Sequence, residues 1–368
     1  MNTFGNKYII QIIGSSHGSL VGVIIEGLPV GLSLDIDDVQ MWLTRRKPGQ
    51  SKITTTRNES DQFFIETGLF QGKTNGQPLY AFVKNNDSKS KNYEDIKYIV
   101  RPGHADYPAF IKYKGFNDYR GSGSFSGRMT IGLVIAGAIA KQLLLKKNIQ
   151  VKAYTKSIGS IESRFKTQIK NNKVENLESL NEVYENASRT VFQEDSEKFE
   201  NLIVEKKREG DSIGGIVECI IENLPVGLGE PFFDSIESRI AHMIFSIPAV
   251  KGIEFGSGFN ATKMTGSEHN DVYQYDKEKN LVFTKTNNAG GILGGLSNGM
   301  PVVFRVAFKP TSSILKKQKT INKITNEPED LVVKGRHDPC IVPRAVPVVE
   351  CAAACVILDL LLVGNNQD

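Results

Sequence analysis

Residues Gly14 to Leu32 read G-S-S-H-G-S-L-V-G-V-I-I-E-G-L-P-V-G-L, and residues Gly210 to Leu228 read G-D-S-I-G-G-I-V-E-C-I-I-E-N-L-P-V-G-L. The two stretches align without gaps at an offset of 196, with 12 of 19 positions identical. Each runs from a G-x-S-x-G loop into an apolar strand ending Ile-Ile-Glu, and then into Leu-Pro-Val-Gly-Leu. A segment with apolar residues at helical spacing follows, Asp37 to Arg46 in one copy and Asp234 to Ile247 in the other. This predicts an ancient duplication: one domain over residues 1–368 with two related halves, the copies starting near 14 and 210. His17 of the first copy corresponds to Ile213 of the second, so the shared backbone does not need the imidazole.

Outward from the repeat, Phe63 to Phe70, Leu79 to Val83, Ile213 to Ile221 and Val302 to Phe308 are rich in β-branched and aromatic residues and are expected as strands. Met129 to Lys147 and the apolar C-terminal segment are expected as helices. The regular strand-helix alternation of a doubly wound sheet is missing. The expected class is therefore α+β and layered, with two halves around shared helices. Residues 162–209 are dense in Lys, Glu, Asn and Gln and are expected as an exposed, charged, helical excursion without chemistry.

Composition narrows the class. Over 368 residues, 40% hydrophobic and 23% charged content is that of an ordinary globular protein, and a net charge of +4 does not by itself imply a polyanion partner. No nucleic acid is expected as a partner. The most apolar stretch, Val346 to Val363, is interrupted by Glu350 and Asp359, which a bilayer would penalise; it is expected as a buried helix and not a membrane span. The N-terminus lacks the pattern of a signal peptide. Cys219, Cys340, Cys351 and Cys355 show neither C-x-x-C spacing nor the density of a secreted scaffold, so a cytoplasmic location is expected.

Three of the five histidines lie in short Gly, Pro and Ser loops: His17 in G-S-S-H-G, His104 in R-P-G-H-A-D and His337 in G-R-H-D-P-C. Histidine titrates closest to neutrality, and loops are where a scaffold displays chemistry. Two of these loops also carry an arginine, which holds an anion at fixed geometry. Between Asp38 and Glu59 no acid occurs, while Arg45, Arg46, Lys47, Lys52 and Arg57 do. That window reads as a positive pocket wall or as a solvated basic turn. Together these features point to an enzyme acting on a phosphorylated, anionic small molecule. His242 is expected to be structural and His269 solvated. No H-x-x-H, H-E-x-x-H or spaced Cys/His set is present, so no catalytic metal is expected.

Glycine-rich stretches supply candidate ligand surfaces. G-S-G-S-F-S-G-R over Gly121 to Arg128 precedes the helix from Met129, where glycines admit a ligand to backbone N–H groups and the helix start favours an anion. It misses the spacing of the dinucleotide fingerprint. Gly290 to Gly299 holds five glycines in ten residues, readable as a surface for a flat ring or phosphate, or as a flap. Lys309-Pro-Thr-Ser-Ser313 offers one ammonium and three hydroxyls just past a strand.

In order and context these loops resemble the chorismate synthase family. The shared motifs are G-S-S-H-G, R-R-K-P-G-Q-S, R-P-G-H-A-D-Y, S-G-R-M-T, G-D-S-I-G-G, I-P-A-V-K-G, N-A-G-G-I-L-G-G-L-S-N-G, K-P-T-S-S-I and G-R-H-D-P-C, running from Gly14 to Cys340. The resemblance implies a lyase that makes chorismate and phosphate from 5-enolpyruvylshikimate 3-phosphate, a 1,4-elimination that uses reduced FMN. It implies a homotetramer of β-α-β sandwiches, with helices packed between two antiparallel sheets. It further implies His17 as the acid at the departing phosphate, with Ser16 in its network, His104 beside the reduced flavin, and Asp338 as a relay base. Arg45, Arg46, Arg101, Arg128 and Arg336 would clamp the substrate. Flavin contacts would fall on Ser124, Phe125, Ser126, Gly294, Lys309, Pro310, Thr311, Ser312, Ser313 and Arg336. Arg46 is also a candidate NADP contact, and whether NADPH reduces the flavin on this chain is left open. The sequence departs from the common pattern at Ser15, Lys52 and Ser124.

Two rival readings use the same residues differently. A flavin-dependent NADPH reductase would use the glycine loops and oxidise NADPH steadily. A polyanion-binding module would use the basic window around Arg45 and leave His104 and the His337-Asp338 pair without a role.

Overall fold

Alternation at period two puts Val21, Val23 and Ile25 on one side of the Leu20–Glu26 strand, and all three are fully buried. Leu79, Ala81 and Val83 do the same on the neighbouring strand, Leu79–Lys84. The protein is seen in a computed structural model that describes residues 2–55, 59–86, 97–333, 335 and 337–364. Its first large sheet has the order Thr3–Phe4, Ile9–Gly14, Leu20–Glu26, Leu79–Lys84, Phe63–Thr67, every pair antiparallel. The second has the order Val250–Phe255, Val302–Phe308, Gly215–Glu222, Gln150–Ile158, Ile161–Glu162, again antiparallel throughout. Helices and antiparallel sheets mix in an α+β fold.

Without the two-residue edge strands, the two sheets have one order. Ile9–Gly14, Leu20–Glu26, Leu79–Lys84 and Phe63–Thr67 correspond in place to Gln150–Ile158, Gly215–Glu222, Val302–Phe308 and Val250–Phe255. The Leu-Pro-Val-Gly-Leu turn is pinned in the same way in both copies. Thr74 Oγ1 donates to Pro29 O and accepts from Leu32 N; Ser297 Oγ donates to Pro225 O and accepts from Leu228 N. Each turn leads to a capped helix. Asp35 accepts from Asp38 N ahead of Ile36–Arg46, and Ser235 accepts from Ser238 N ahead of Ile236–Ile244.

Thr130–Lys146 and Val342–Gly364 are the two longest apolar helices, and both lie in the core, the second almost wholly buried. They meet at Gly137, where a Cβ would collide with the backbone and Cβ of Cys351; only glycine permits so close an approach. Thr130–Lys146 also packs on Ile9–Gly14, Leu20–Glu26 and Leu79–Lys84, while Val342–Gly364 packs on Gln150–Ile158 and Gly215–Glu222. The two acids inside the C-terminal helix are buried with partners. Glu350 takes Lys141, Ala153 N and the Tyr184 hydroxyl; Asp359 takes the N–H groups of Asn6, Lys7 and Tyr8 together with Arg239.

Three expectations need correction. The strand expected over Phe63 to Phe70 breaks at Gly68 into Phe63–Thr67 and Leu69–Phe70. The helix expected over Asp234 to Ile247 begins only at Ile236, after a short turn at Phe232–Asp234, and ends at Ile244. The charged segment 162–209 is α-helical only over Gln193–Arg208 and is not simply exposed. Its Phe165, Val174, Leu177, Leu180 and Val183 pack on Tyr154, Ile220 and Val303, covering the outer face of the second sheet. Its sparse apolar residues form a layer that its composition hides.

Candidate active site

The helices that follow the two repeat strands end beside one cleft of about 710 Å³. Arg46, the last residue of Ile36–Arg46, lines it from one side, and Phe245 to Lys251, just past Ile236–Ile244, line it from the other. The walls are completed by the His104 loop, the Gly121 to Arg128 loop, Lys309 to Ser313, and the loop carrying His337 and Asp338. Segments far apart in sequence thus converge on one opening.

His104 is held by a carboxylate. Its Nδ1 lies 2.7 Å from Asp106 Oδ1, and Arg101 grips both Asp106 oxygens through Nε and Nη2 at 2.8 Å. An imidazole nitrogen that close to a carboxylate carries its proton there, which assigns Nε2 as the nitrogen for a ligand. Arg101 also reaches Ser122 Oγ at 3.1 Å and Ser313 Oγ at 3.2 Å, tying three cleft loops together. Burial alone would raise the Asp106 carboxyl, but its bonds from Arg101 and His104 outweigh that and hold it well below the usual carboxylate range.

A second carboxylate organises two more arginines. Asp61 Oδ2 lies 2.6 Å from Arg46 Nη2 and Asp61 Oδ1 lies 3.0 Å from Arg128 Nη1, with all three side chains buried. Glu59 adds a 3.5 Å contact to Arg128 Nη2, and Asn85 accepts from Arg128 Nε at 2.5 Å. Burial brings the Arg46 guanidinium down to about 10, with Asp61 pulling it back up. The same burial would raise Asp61, yet Arg46 and Arg128 keep it below its ordinary value. Asp61 holds this position at φ +48, a left-handed conformation uncommon outside glycine.

Asp338 is fixed at both oxygens. Its Oδ1 accepts from Thr55 N at 2.9 Å, and its Oδ2 pairs with Arg344, whose Nε donates to Arg46 O. Thr311 Oγ1 donates to Asp338 O, and the Lys309 ammonium bonds Gly103 O. His17 is buried just behind Gly121: a Cβ on Gly121, which has φ +55, would collide with the imidazole and crowd Ser16 Oγ. Ser16 Oγ is itself buried without a hydrogen-bond partner among the described residues. The loop glycine lets the cleft wall lie flat on the ring.

The structure thus gathers Arg46, Arg101, His104, Ser124, Phe125, Ser126, Arg128, Lys309 to Ser313 and Asp338 on one cleft, with Ser16 and His17 behind its wall. Two expected site residues are placed elsewhere. Arg45 stacks on Tyr184 and Trp42, its guanidinium 4.0 Å and 4.5 Å from their ring centroids. Gly294 sits in the turn of the Ile292–Leu293 and Leu296–Ser297 hairpin and does not line the cleft. Nearby glycines serve packing: Gly291 lies against Pro301 and Gly295 against Glu230. Arg336 and Arg57 lie outside the described residues. Asp61, Thr55 and Arg344 were missed by sequence reasoning. The one signal for Asp61 was that Glu59 and Asp61 close the acid-free basic window.

A family model described as chorismate synthase matches residues 9–362. The chain is 48% identical over 362 residues to a protein named chorismate synthase from Synechocystis sp., covering 98% of this chain and 97% of that one. It is 46% identical over 370 residues to a protein of the same name from Methanocaldococcus jannaschii, covering 99% and 97%. A solved structure titled "Crystal Structure of Chorismate Synthase" superposes with a TM-score of 0.76 at 29% identity, covering 98% of this chain and 93% of that chain.

Proposed function

The chain belongs to the chorismate synthase family, and from that premise we propose how its cleft divides the work. The enzyme is a lyase: 5-enolpyruvylshikimate 3-phosphate loses phosphate and a ring hydrogen in a 1,4-elimination, giving chorismate with no net redox change. The observation that carries the residue-level reading is the convergence of His104, Asp338, Arg46, Arg101 and Arg128 on one cleft, with His17 beneath its wall.

The donor set fits reduced FMN. Ser124, Ser126, Thr311, Ser312 and Ser313 offer hydroxyls, Lys309 an ammonium and Phe125 an aromatic face, in a space of about 710 Å³. When bound, such a group supplies the electron density that an unactivated ring carbon lacks. Held through Nδ1 by Asp106, His104 would help hold the anionic cofactor, donating from Nε2 as an imidazolium. His17 gives a proton to the departing phosphate, with Ser16 beside it. Asp338, fixed by Thr55 N and Arg344, would hold or pass a proton. Arg46, Arg101 and Arg128, with Arg336, receive the substrate's phosphate and two carboxylates.

Each described cleft arginine already faces a carboxylate: Arg46 and Arg128 share Asp61, Arg101 has Asp106, and Arg344 has Asp338. Such charge compensation suits recognition of one small polyanion and works against a track for nucleic acid. The assay is anaerobic: reduced FMN and substrate are mixed with the protein, and chorismate absorbance and phosphate release are followed together. Stoichiometric appearance of both, lost in His17→Ala, supports the acid assignment; unchanged turnover in that variant overturns it. Steady NADPH oxidation without added reduced flavin would place flavin reduction on this chain, with Arg46 as the candidate contact.

The matching sheet orders and hydroxyl-pinned turns support a duplicated scaffold, read here as a β-α-β sandwich whose long helices separate the sheets. Four free, buried cysteines support a reducing cytoplasm. Exposed Phe232 and Phe233 support assembly with further copies, read as a homotetramer and tested by light scattering.

A further inference from the structure

A second cavity of about 320 Å³ is lined by Arg45, Arg189, Arg344, Gln50, Ser51 and Asn186 among others. Arg344 lines both spaces. Stacking on Tyr184 and Trp42 fixes the plane of Arg45, and among the described residues its side chain donates no hydrogen bond and makes no ion pair. Arg189 is buried. Its Nη1 donates to Tyr184 O at 2.6 Å and Asn186 O at 3.0 Å, and its Nη2 to Gln50 Oε1 at 2.9 Å; no carboxylate pairs with it among the described residues. Burial holds this guanidinium below the usual arginine value, and the Arg45 charge acts in the same direction. Ser51 Oγ is buried and has no hydrogen-bond partner among the described residues. Of the described lining residues only Glu185 is acidic, and it is exposed.

Two neighbouring guanidiniums held by rings and neutral oxygens, with exposed Glu185 as the one acid in the described lining, leave positive charge only partly compensated where a buried charge is ordinarily paired. We propose that this cavity is a binding site for a small tetrahedral oxyanion of the phosphate class, separate from the substrate cleft. The planar forks of Arg45 and Arg189, with the Ser51 hydroxyl, suit tetrahedral oxygens better than a halide. Arg344 links the two sites. Its Nη1 pairs with Asp338, so an anion that draws Arg344 toward the second cavity loosens the clamp on Asp338. That link rests on the reading of the cleft above; the binding itself does not.

Trp42 is the chain's single tryptophan and lies against Arg45, so its fluorescence reports this cavity directly. Inorganic phosphate is titrated into the full-length protein without substrate or flavin, at constant ionic strength balanced with chloride. A saturable change in emission is expected, weakened about tenfold or more in Arg189→Gln and kept in the cleft variant Arg101→Gln. Ser51→Glu, which puts a carboxylate into the cavity, removes the response while circular dichroism shows an unchanged fold. A response that is linear or matched by chloride overturns the proposal. So does one lost in Arg101→Gln but kept in Arg189→Gln, which would seat the phosphate in the cleft. No turnover enters the titration, so failure of the lyase assay and failure of this site are read separately.

Discussion

Asp106 Oδ1 lies 2.7 Å from His104 Nδ1, which keeps a proton on Nδ1 and fixes the direction of the ring at the edge of the cleft. A carboxylate in that place holds the imidazole proton on Nδ1 without touching any ligand.

Asp106→Asn keeps the shape and loses the charge. Turnover is expected to fall about 10- to 100-fold, with KM for the substrate also raised because Asp106 holds Arg101. Nitrogen NMR of labelled histidine checks the cause: the His104 Nδ1 resonance should shift. An unchanged His104 spectrum alongside lost activity would reject the positioning role.

Gly121→Ala puts a methyl group where the His17 ring now lies, at a backbone angle that disfavours any side chain. Displacing the ring by an ångström or so is expected to cost about 10²-fold in kcat, with flavin affinity retained. Single-turnover phosphate release separates this from a binding defect.

Acid should unfold the protein through its paired carboxylates. Asp61 and Asp106 both titrate below their unfolded values, so each contributes stability above the unfolded pKa of about 3.9 and loses it as pH falls toward its folded value. Melting temperature against pH is expected to drop steeply below about pH 4, and less steeply in Asp61→Asn or Asp106→Asn, whose stability is already lower near neutrality. An identical acid limb in the variants would contradict the linkage.

Gly137→Ala crowds the contact between the two core helices. A loss of about 1–3 kcal/mol is expected, seen as a lower denaturant midpoint at unchanged slope.

How much of this was legible in the sequence depends on the range of the interaction. The repeat, its strands and its capped helices are local patterns, and Gly14 to Leu32 against Gly210 to Leu228 was enough to place the centres of both sheets. The histidine loops were legible as three separate motifs, but their convergence was not. Asp61 meets Arg128 across 67 positions, and no local period encodes that pairing. Arg45 was misplaced because neighbouring helical residues cannot face one way: with Arg46 turned into the cleft, Arg45 had to turn toward Tyr184. The segment 162–209 misled because its few apolar residues are diluted by charge, yet they are what covers the second sheet.

The backbone contact between Gly137 and Cys351 has a further consequence. One of these helices packs on strands of the first sheet and the other on strands of the second, so loosening either helix strains the contact between them. Amide hydrogen exchange in Thr130–Lys146 and Val342–Gly364 should therefore share one opening free energy, and the protein should melt as a single cooperative unit, not as two successive halves.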